Sequence, residues 1–240
     1  MKRMAWCLAA LLPLGPAVAQ KATAQPAQAA PDLNLRIERY ASSTGRDGVQ
    51  RESRYTDLMV RRAGSVWIER DFPAALRASD EHGHDAHEQG GPEPHAGHSH
   101  ADTVGSPLWL QRDTAGKVAV RMVLRKQRKV LDIDEANYGN VGYNGSWDIT
   151  YGVVDPASLK RMQPDGAPAK GVQRYRLARG ESMITVDWDM KGQYARRVET
   201  RGPHGLSVNR ITVTAAPAPA VLPWKAVEGY ERGDYSDLLD

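Results

Sequence analysis

Six of the chain's seven histidines fall in one stretch, Ser79 to Ser106, as His82, His84, His87, His95, His98 and His100. They form H-x-H-x-x-H, then a hinge of Gly90, Gly91, Pro92 and Pro94, then the mirror order H-x-x-H-x-H. Unprotonated imidazole is a favoured ligand of zinc, copper, nickel and cobalt, and carboxylate oxygens can complete such a shell. Asp80, Glu81, Asp85, Glu88 and Glu93 carry such oxygens, and Asp85 and Glu88 are taken as the auxiliary donors. Val104 is the one sizeable aliphatic side chain in the stretch, so nothing in it can build a core. It reads as a long metal-seeking loop set between two apolar, strand-like runs. Ordering so many residues costs backbone entropy, which limits the affinity such a loop can reach unaided. A solvated loop with no metal role is the competing reading.

Catalytic patterns do not accompany it. The chain has no G-x-S-x-G, H-E-x-x-H, phosphate loop or dinucleotide fingerprint. His87-Glu88 opens like a zinc-protease motif but lacks the second histidine. His204, within Gly202-Pro203-His204-Gly205, reads as a turn residue. Asp148, Asp187 and Asp189 flank Trp147 and Trp188 in runs that look like strands, where solvent-facing positions account for them better than acid–base pairing does. Tyr138, Tyr143, Trp147 and Tyr151 read as packing residues, with a ligand pocket as the alternative. No catalytic residue and no cofactor-binding motif is assigned, and the chain is expected not to be an enzyme.

The first nineteen residues have the form of a secretory leader. Lys2 and Arg3 precede an apolar run from Met4 to Gly15, and Ala17-Val18-Ala19 is a cleavage site of the A-x-A kind. Cys7 is the only cysteine, and it lies inside that leader. The expected location is therefore the periplasm, for a soluble chain with no disulfide and no membrane-spanning segment. The formal charge of +3 falls to +1 without Lys2 and Arg3, which gives no case for nucleic acid as a partner.

The remaining chain must position that loop. Residues 20–31 are an Ala/Gln/Pro linker. In Leu33 to Tyr40, Leu33, Leu35 and Ile37 alternate with Asn34, Arg36 and Glu38, the period of a half-buried strand. Further strands are expected over Arg51–Arg62, Val66–Arg70, Leu108–Arg112, Val118–Leu124, Val130–Asp134 and Trp147–Val154, with Arg125 to Lys129 a basic turn. Asp155-Pro156 starts a short helix to Met162, with aspartate as cap and proline in the first turn. Four more strands follow, over Gln173–Leu177, Met183–Asp189, Gln193–Thr200 and Leu206–Thr214. The fold class is mainly β: a single curved antiparallel sheet or incomplete β-barrel with one or few short helices. Residues 32–214 form one β domain, with the His-rich flexible loop 79–106 inserted in it. Residues 215–240 are an extended linker and C-terminal tail.

This order of elements, with the phrases SVWIER (Ser65 to Arg70), ITVDWDMKGQYARRVET (Ile184 to Thr200) and LPWKAVEGYERGDYSDLLD (Leu222 to Asp240), resembles the LolA-like superfamily of periplasmic lipoprotein-sorting and sensor proteins. The resemblance implies an incomplete β-barrel wrapped on a few helices, with an apolar cavity for acyl chains. It also implies an arginine that locks the cavity's cover; Arg36, Arg54, Arg121 and Arg196 are equally eligible and none is assigned. The sequence departs from the pattern in having fewer helices and in carrying the His-rich insertion.

Two functions are therefore in contention. The first is a non-enzymatic binding protein whose His-rich loop takes a divalent transition metal ion, Zn, Cu, Ni or Co. The second is a LolA-like carrier or sensor of lipid or lipoprotein acyl chains. A third reading makes the tail from Gly229 to Asp240 a docking segment for a protein partner.

Overall fold

In a computed structural model of the chain, residues 30–73 and 105–238 are described. Among the described residues twelve strands form one curved, unclosed sheet in the order β12-β6-β5-β4-β3-β2-β1-β11-β10-β9-β8-β7. The first half is a meander of β1 (Leu33–Thr44), β2 (Gln50–Arg62), β3 (Ser65–Arg70), β4 (Leu108–Arg112), β5 (Val118–Leu124) and β6 (Lys129–Ile133). The second half runs through β7 (Gln163–Pro164), β8 (Val172–Arg179), β9 (Ser182–Asp189), β10 (Tyr194–Arg201) and β11 (Ser207–Ala215). The halves join where β11 pairs antiparallel with β1, Ile37 opposite Val213. All pairings are antiparallel except that of β12 (Glu231–Asp234) along β6. The expected mainly β class is the one found, and the sheet is an open one rather than a closed barrel.

Period-two alternation gives the sheet two unlike faces. Concave-facing Leu35, Ile37, Met59, Val66, Leu110, Val120 and Leu131 are all nearly inaccessible and form the main core. The chain between β6 and β7 supplies the cover of that face, with Tyr143, Trp147, Val153, Leu159 and Met162 packed into the same core. It contains α1 (Trp147–Gly152) and α2 (Pro156–Leu159). Asp155 caps α2 as expected, accepting a 2.8 Å bond from the Ala157 amide.

The strand expected over Trp147–Val154 is not formed, because Ser146 starts a helix there. Its hydroxyl accepts from the Ile149 amide at 3.3 Å, which nucleates α1 in place of a strand. Trp147 and Tyr151, four residues apart, then stack at 5.1 Å on one side of the helix.

The convex face has a second apolar cluster on β2 to β6: Val60, Trp67, Trp109, Val123 and Val130, closed by Val227. Leu222, Trp224 and Tyr230 pack against it, so α3 (Pro223–Ala226) and β12 bring the C-terminal segment onto that side. On the other half of the convex face charge replaces apolar area. Glu199 accepts from Arg197 Nη2 at 2.6 Å, Arg201 Nε at 2.7 Å and Arg210 Nε at 2.7 Å.

Burial pushes the Glu199 carboxyl up, but the bonds from Arg197, Arg210 and Arg201 outweigh it and hold it at about 2, below its ordinary 4.5. Because the folded value is depressed, the stabilisation is complete above about 4.5 and is lost as pH falls through about 2. Glu199→Gln is expected to lower unfolding stability by about 1–2 kcal/mol at neutral pH, since its three partly exposed partners are screened by solvent. Urea titrations from neutral to acid pH check this: the wild-type advantage should shrink steadily in that window. A difference independent of pH would assign the effect to packing instead.

Candidate functional site

Between the concave face and its cover lies a cavity of about 590 Å³. Its sheet wall is apolar through Ile37, Ile68, Leu108, Leu110 and Ile211, and Tyr143 and Val153 face them from the cover. Val153 ends α1 with φ +69°, a left-handed conformation that a β-branched residue rarely adopts. That strain is local to the cavity wall.

Strand register sorts the lining by polarity. Arg39, Tyr55 and Asp57 lie near the middle of β1 and β2, level with Arg70 at the C-terminal end of β3. Asp57, 7% exposed, accepts from Arg39 Nε at 3.0 Å and from Arg70 Nε at 2.9 Å. The Arg70 guanidinium lies 3.9 Å from the centre of the Tyr55 ring. Tyr55, 39% exposed, marks the side open to water.

Farther along β2, on the same face, is Arg61, with no exposed surface. Its Nη1 donates to the carbonyls of Tyr151 (2.8 Å) and Gln193 (3.1 Å). Its Nη2 donates to those of Pro31 (3.1 Å) and Gly192. One side chain thereby ties the end of α1, the β9–β10 turn and the segment entering β1 to the C-terminal end of β2. The Tyr151 ring lies 4.5 Å from the guanidinium. Burial pushes the Arg61 guanidinium down from its usual range, against the raising influence of Tyr151, Tyr194, Asp32 and Asp189. Carbonyl dipoles in a planar fork suit this delocalised ion, which stays protonated.

Gly192 fits this turn because a β-carbon there would lie 2.5 Å from the Tyr194 ring. Its amide donates to Asp189 Oδ1 at 2.6 Å, and Arg196 Nε donates to Oδ2 at 2.8 Å. Asp189 is thus buried in the turn rather than facing solvent as the sequence suggested, whereas Asp187 pairs with Arg174 at the surface. Of the four arginines considered from the sequence, Arg36 pairs with Asp71, Arg54 covers Tyr40, Arg121 pairs with Asp132 and Arg196 with Asp189. None has the buried position that Arg61 occupies. His204 lies exposed in a turn with φ +52°.

His82, His84, His87, His95, His98 and His100, with Asp85 and Glu88, lie outside the described residues, as does the leader. Among the described residues no three His, Cys, Asp or Glu side chains gather as a metal site. Also among them, no helix is long and apolar enough to cross a membrane. The two ends of the His-bearing connection are described, and they meet at the cavity. Ile68 pairs with Leu108, and the Phe72 ring packs where Gly105 has no side chain, a β-carbon there lying 2.6 Å from it. Gly105, at φ +81°, and Arg70 both line the cavity.

No family model and no curated protein matches the chain. Solved structures do. LolA superfamily proteins are among them. A putative outer membrane lipoprotein-sorting protein domain from Vibrio parahaemolyticus is 8% identical, with 82% of this chain and 90% of that one covered and a TM-score of 0.32. A LolA superfamily protein from Nitrosomonas europaea is 9% identical, with the same coverage and TM-score. A structure of PNGF-II is 10% identical over 86% of this chain, with a TM-score of 0.36, and the chain spans 33% of its length.

Arg61→Met removes the donors of four carbonyl groups at once and is expected to cost about 3 kcal/mol. Arg61→Lys should recover little of it, since one ammonium cannot span the fork. Denaturant unfolding checks both variants. Full stability of Arg61→Met would mean that water satisfies the carbonyls equally well.

Proposed function

We propose that the protein is a non-enzymatic periplasmic binding protein that holds the acyl chain of an amphiphile against the concave face of its sheet. The cavity of about 590 Å³ carries this reading, for it falls within the 300–1,000 Å³ usual for small-molecule sites and its sheet wall is aliphatic beyond the polar group of Arg39, Tyr55, Asp57 and Arg70. Each buried methylene contributes about 0.8 kcal/mol, so a chain is bound by length rather than by any one contact. A location in the periplasm rests on the leader-like sequence of residues 1–19.

Ile68 lines the cavity and is only partly buried, so a larger side chain can replace it without entering the packed core. An environment-sensitive apolar dye should bind the wild type and be displaced by fatty acids. Ile68→Trp, checked for retained secondary structure, should weaken the dye by about tenfold or more, the loss of a few buried methylenes. Unchanged dye affinity in Ile68→Trp would remove the cavity from the account.

A second reading, binding of a divalent transition metal by the His-rich connection, is favoured by the neighbouring positions of its two ends. Because β3 and β4 are paired, the two ends of the connection that carries both histidine triplets leave the scaffold side by side, which favours an effective concentration high enough for one ion to be shared. Calorimetry with zinc or copper should show binding that is lost on deleting residues 81–100 and that weakens below about pH 6 as imidazole is protonated. Equal binding by the deleted protein would refute it.

A further inference from the structure

We infer that the cavity selects amphiphiles with an anionic headgroup, recognised by Arg39 and Arg70 at its mouth. The inference rests on the acyl-chain reading of the cavity and goes on to name the class of molecule.

Three observations carry it. First, the lining holds two arginines and one aspartate, an excess of one positive charge, and its remaining polar side chains are neutral. Second, Asp57 binds both guanidiniums through Nε only, at 3.0 and 2.9 Å, so it fixes their position while leaving their terminal NH₂ groups outside the pairing. A guanidinium presents those groups as a planar fork that matches the two oxygens of a carboxylate or phosphate. Asp57 itself is 7% exposed beneath them, so the surface offered to a ligand is cationic. Third, the register places this pair at the wet end of the cavity. Arg39 and Arg70 are a third exposed or slightly less, beside Tyr55, while Ile68, Leu108 and Leu110 extend inward. An amphiphile lying along the strands would meet charge at one end and aliphatic wall beyond it.

The same geometry disfavours a cationic headgroup, which would face two guanidiniums with their only carboxylate already engaged. A neutral headgroup forgoes the charge-assisted bonds. Carboxylate and phosphate monoester share the recognised chemistry, and they differ in charge and oxygen count.

The test is competition against the apolar dye by four amphiphiles of one chain length: decanoate, decyl phosphate, decanol and decylammonium, at neutral pH and below their aggregation limits. Decanoate or decyl phosphate, or both, should displace the dye at concentrations about tenfold lower than decanol, the size of one charge-assisted bond, and decylammonium should be weakest. The relative order of decanoate and decyl phosphate tells a fatty-acid site from a phospholipid site. The triple variant Arg39→Gln/Asp57→Asn/Arg70→Gln removes the whole network without stranding a buried carboxylate. It should lose the preference for anions, decanoate and decyl phosphate then competing no better than decanol. Equal competition by decanol, decanoate and decyl phosphate in the wild type overturns the headgroup assignment and leaves the chain site standing. Failure of all four to compete overturns the chain site itself. Should the triple variant not fold, the order of the four in the wild type still decides.

Discussion

The Arg61 guanidinium is buried among carbonyl oxygens of Tyr151, Gln193, Gly192 and Pro31, four points that no strand pairing brings together. Two belong to the β9–β10 turn, one to the end of α1 and one to the entry of β1. The bond to Gly192 is buried and the other three are partly buried, so loss of the donor would cost most at Gly192, about 1–3 kcal/mol, and less at the others. A single cation with a five-donor fork satisfies them together, and its own burial is tolerable only because those dipoles surround it. Cover and sheet are therefore fastened at the C-terminal end of β2, while its middle, at Asp57 and Tyr55, borders the open cavity.

The sheet answers a common problem in two ways. Twelve strands in one open sheet present two faces, and an apolar face left in water favours association. On the convex side the C-terminal segment covers Trp67 and Trp109, and the remainder is written in ion pairs such as the Glu199 triad. On the concave side the cover over β1 to β4 leaves space that protein side chains do not fill. Close-packed interiors rarely leave such volume without a use. The arginine pair at its mouth gives that volume an orientation, and the His-bearing connection begins and ends at the same rim.

Much of the sheet was legible because alternation is a direct consequence of the pleat. Leu33, Leu35 and Ile37 announce β1, and the glycine-bearing turns announce β8 to β11. Residues 147–154 misled because Trp, Ile and Tyr at alternate positions imitate a strand; the deciding signal was Ser146, whose hydroxyl caps a helix. Arg61 was overlooked among many strand arginines. Parity could have found it, since Asp57, Met59 and Arg61 share the face of β2 that meets Leu35 and Ile37. A charged residue on an apolar face is the mark of a buried polar site. Arg39 and Arg70 carry the same mark, but pairing them needed the register of β1, β2 and β3, which is a long-range property.

The most direct measurement of where the chain binds is a filtered nuclear Overhauser experiment on methyl-labelled protein loaded with decanoate. Contacts from the ligand's terminal methyl to Leu110 and Val153, and from the protons beside its carboxylate to the Tyr55 ring, are expected. Contacts confined to exposed apolar side chains such as Leu206 or Val221, with none to Leu110 or Val153, would contradict the account.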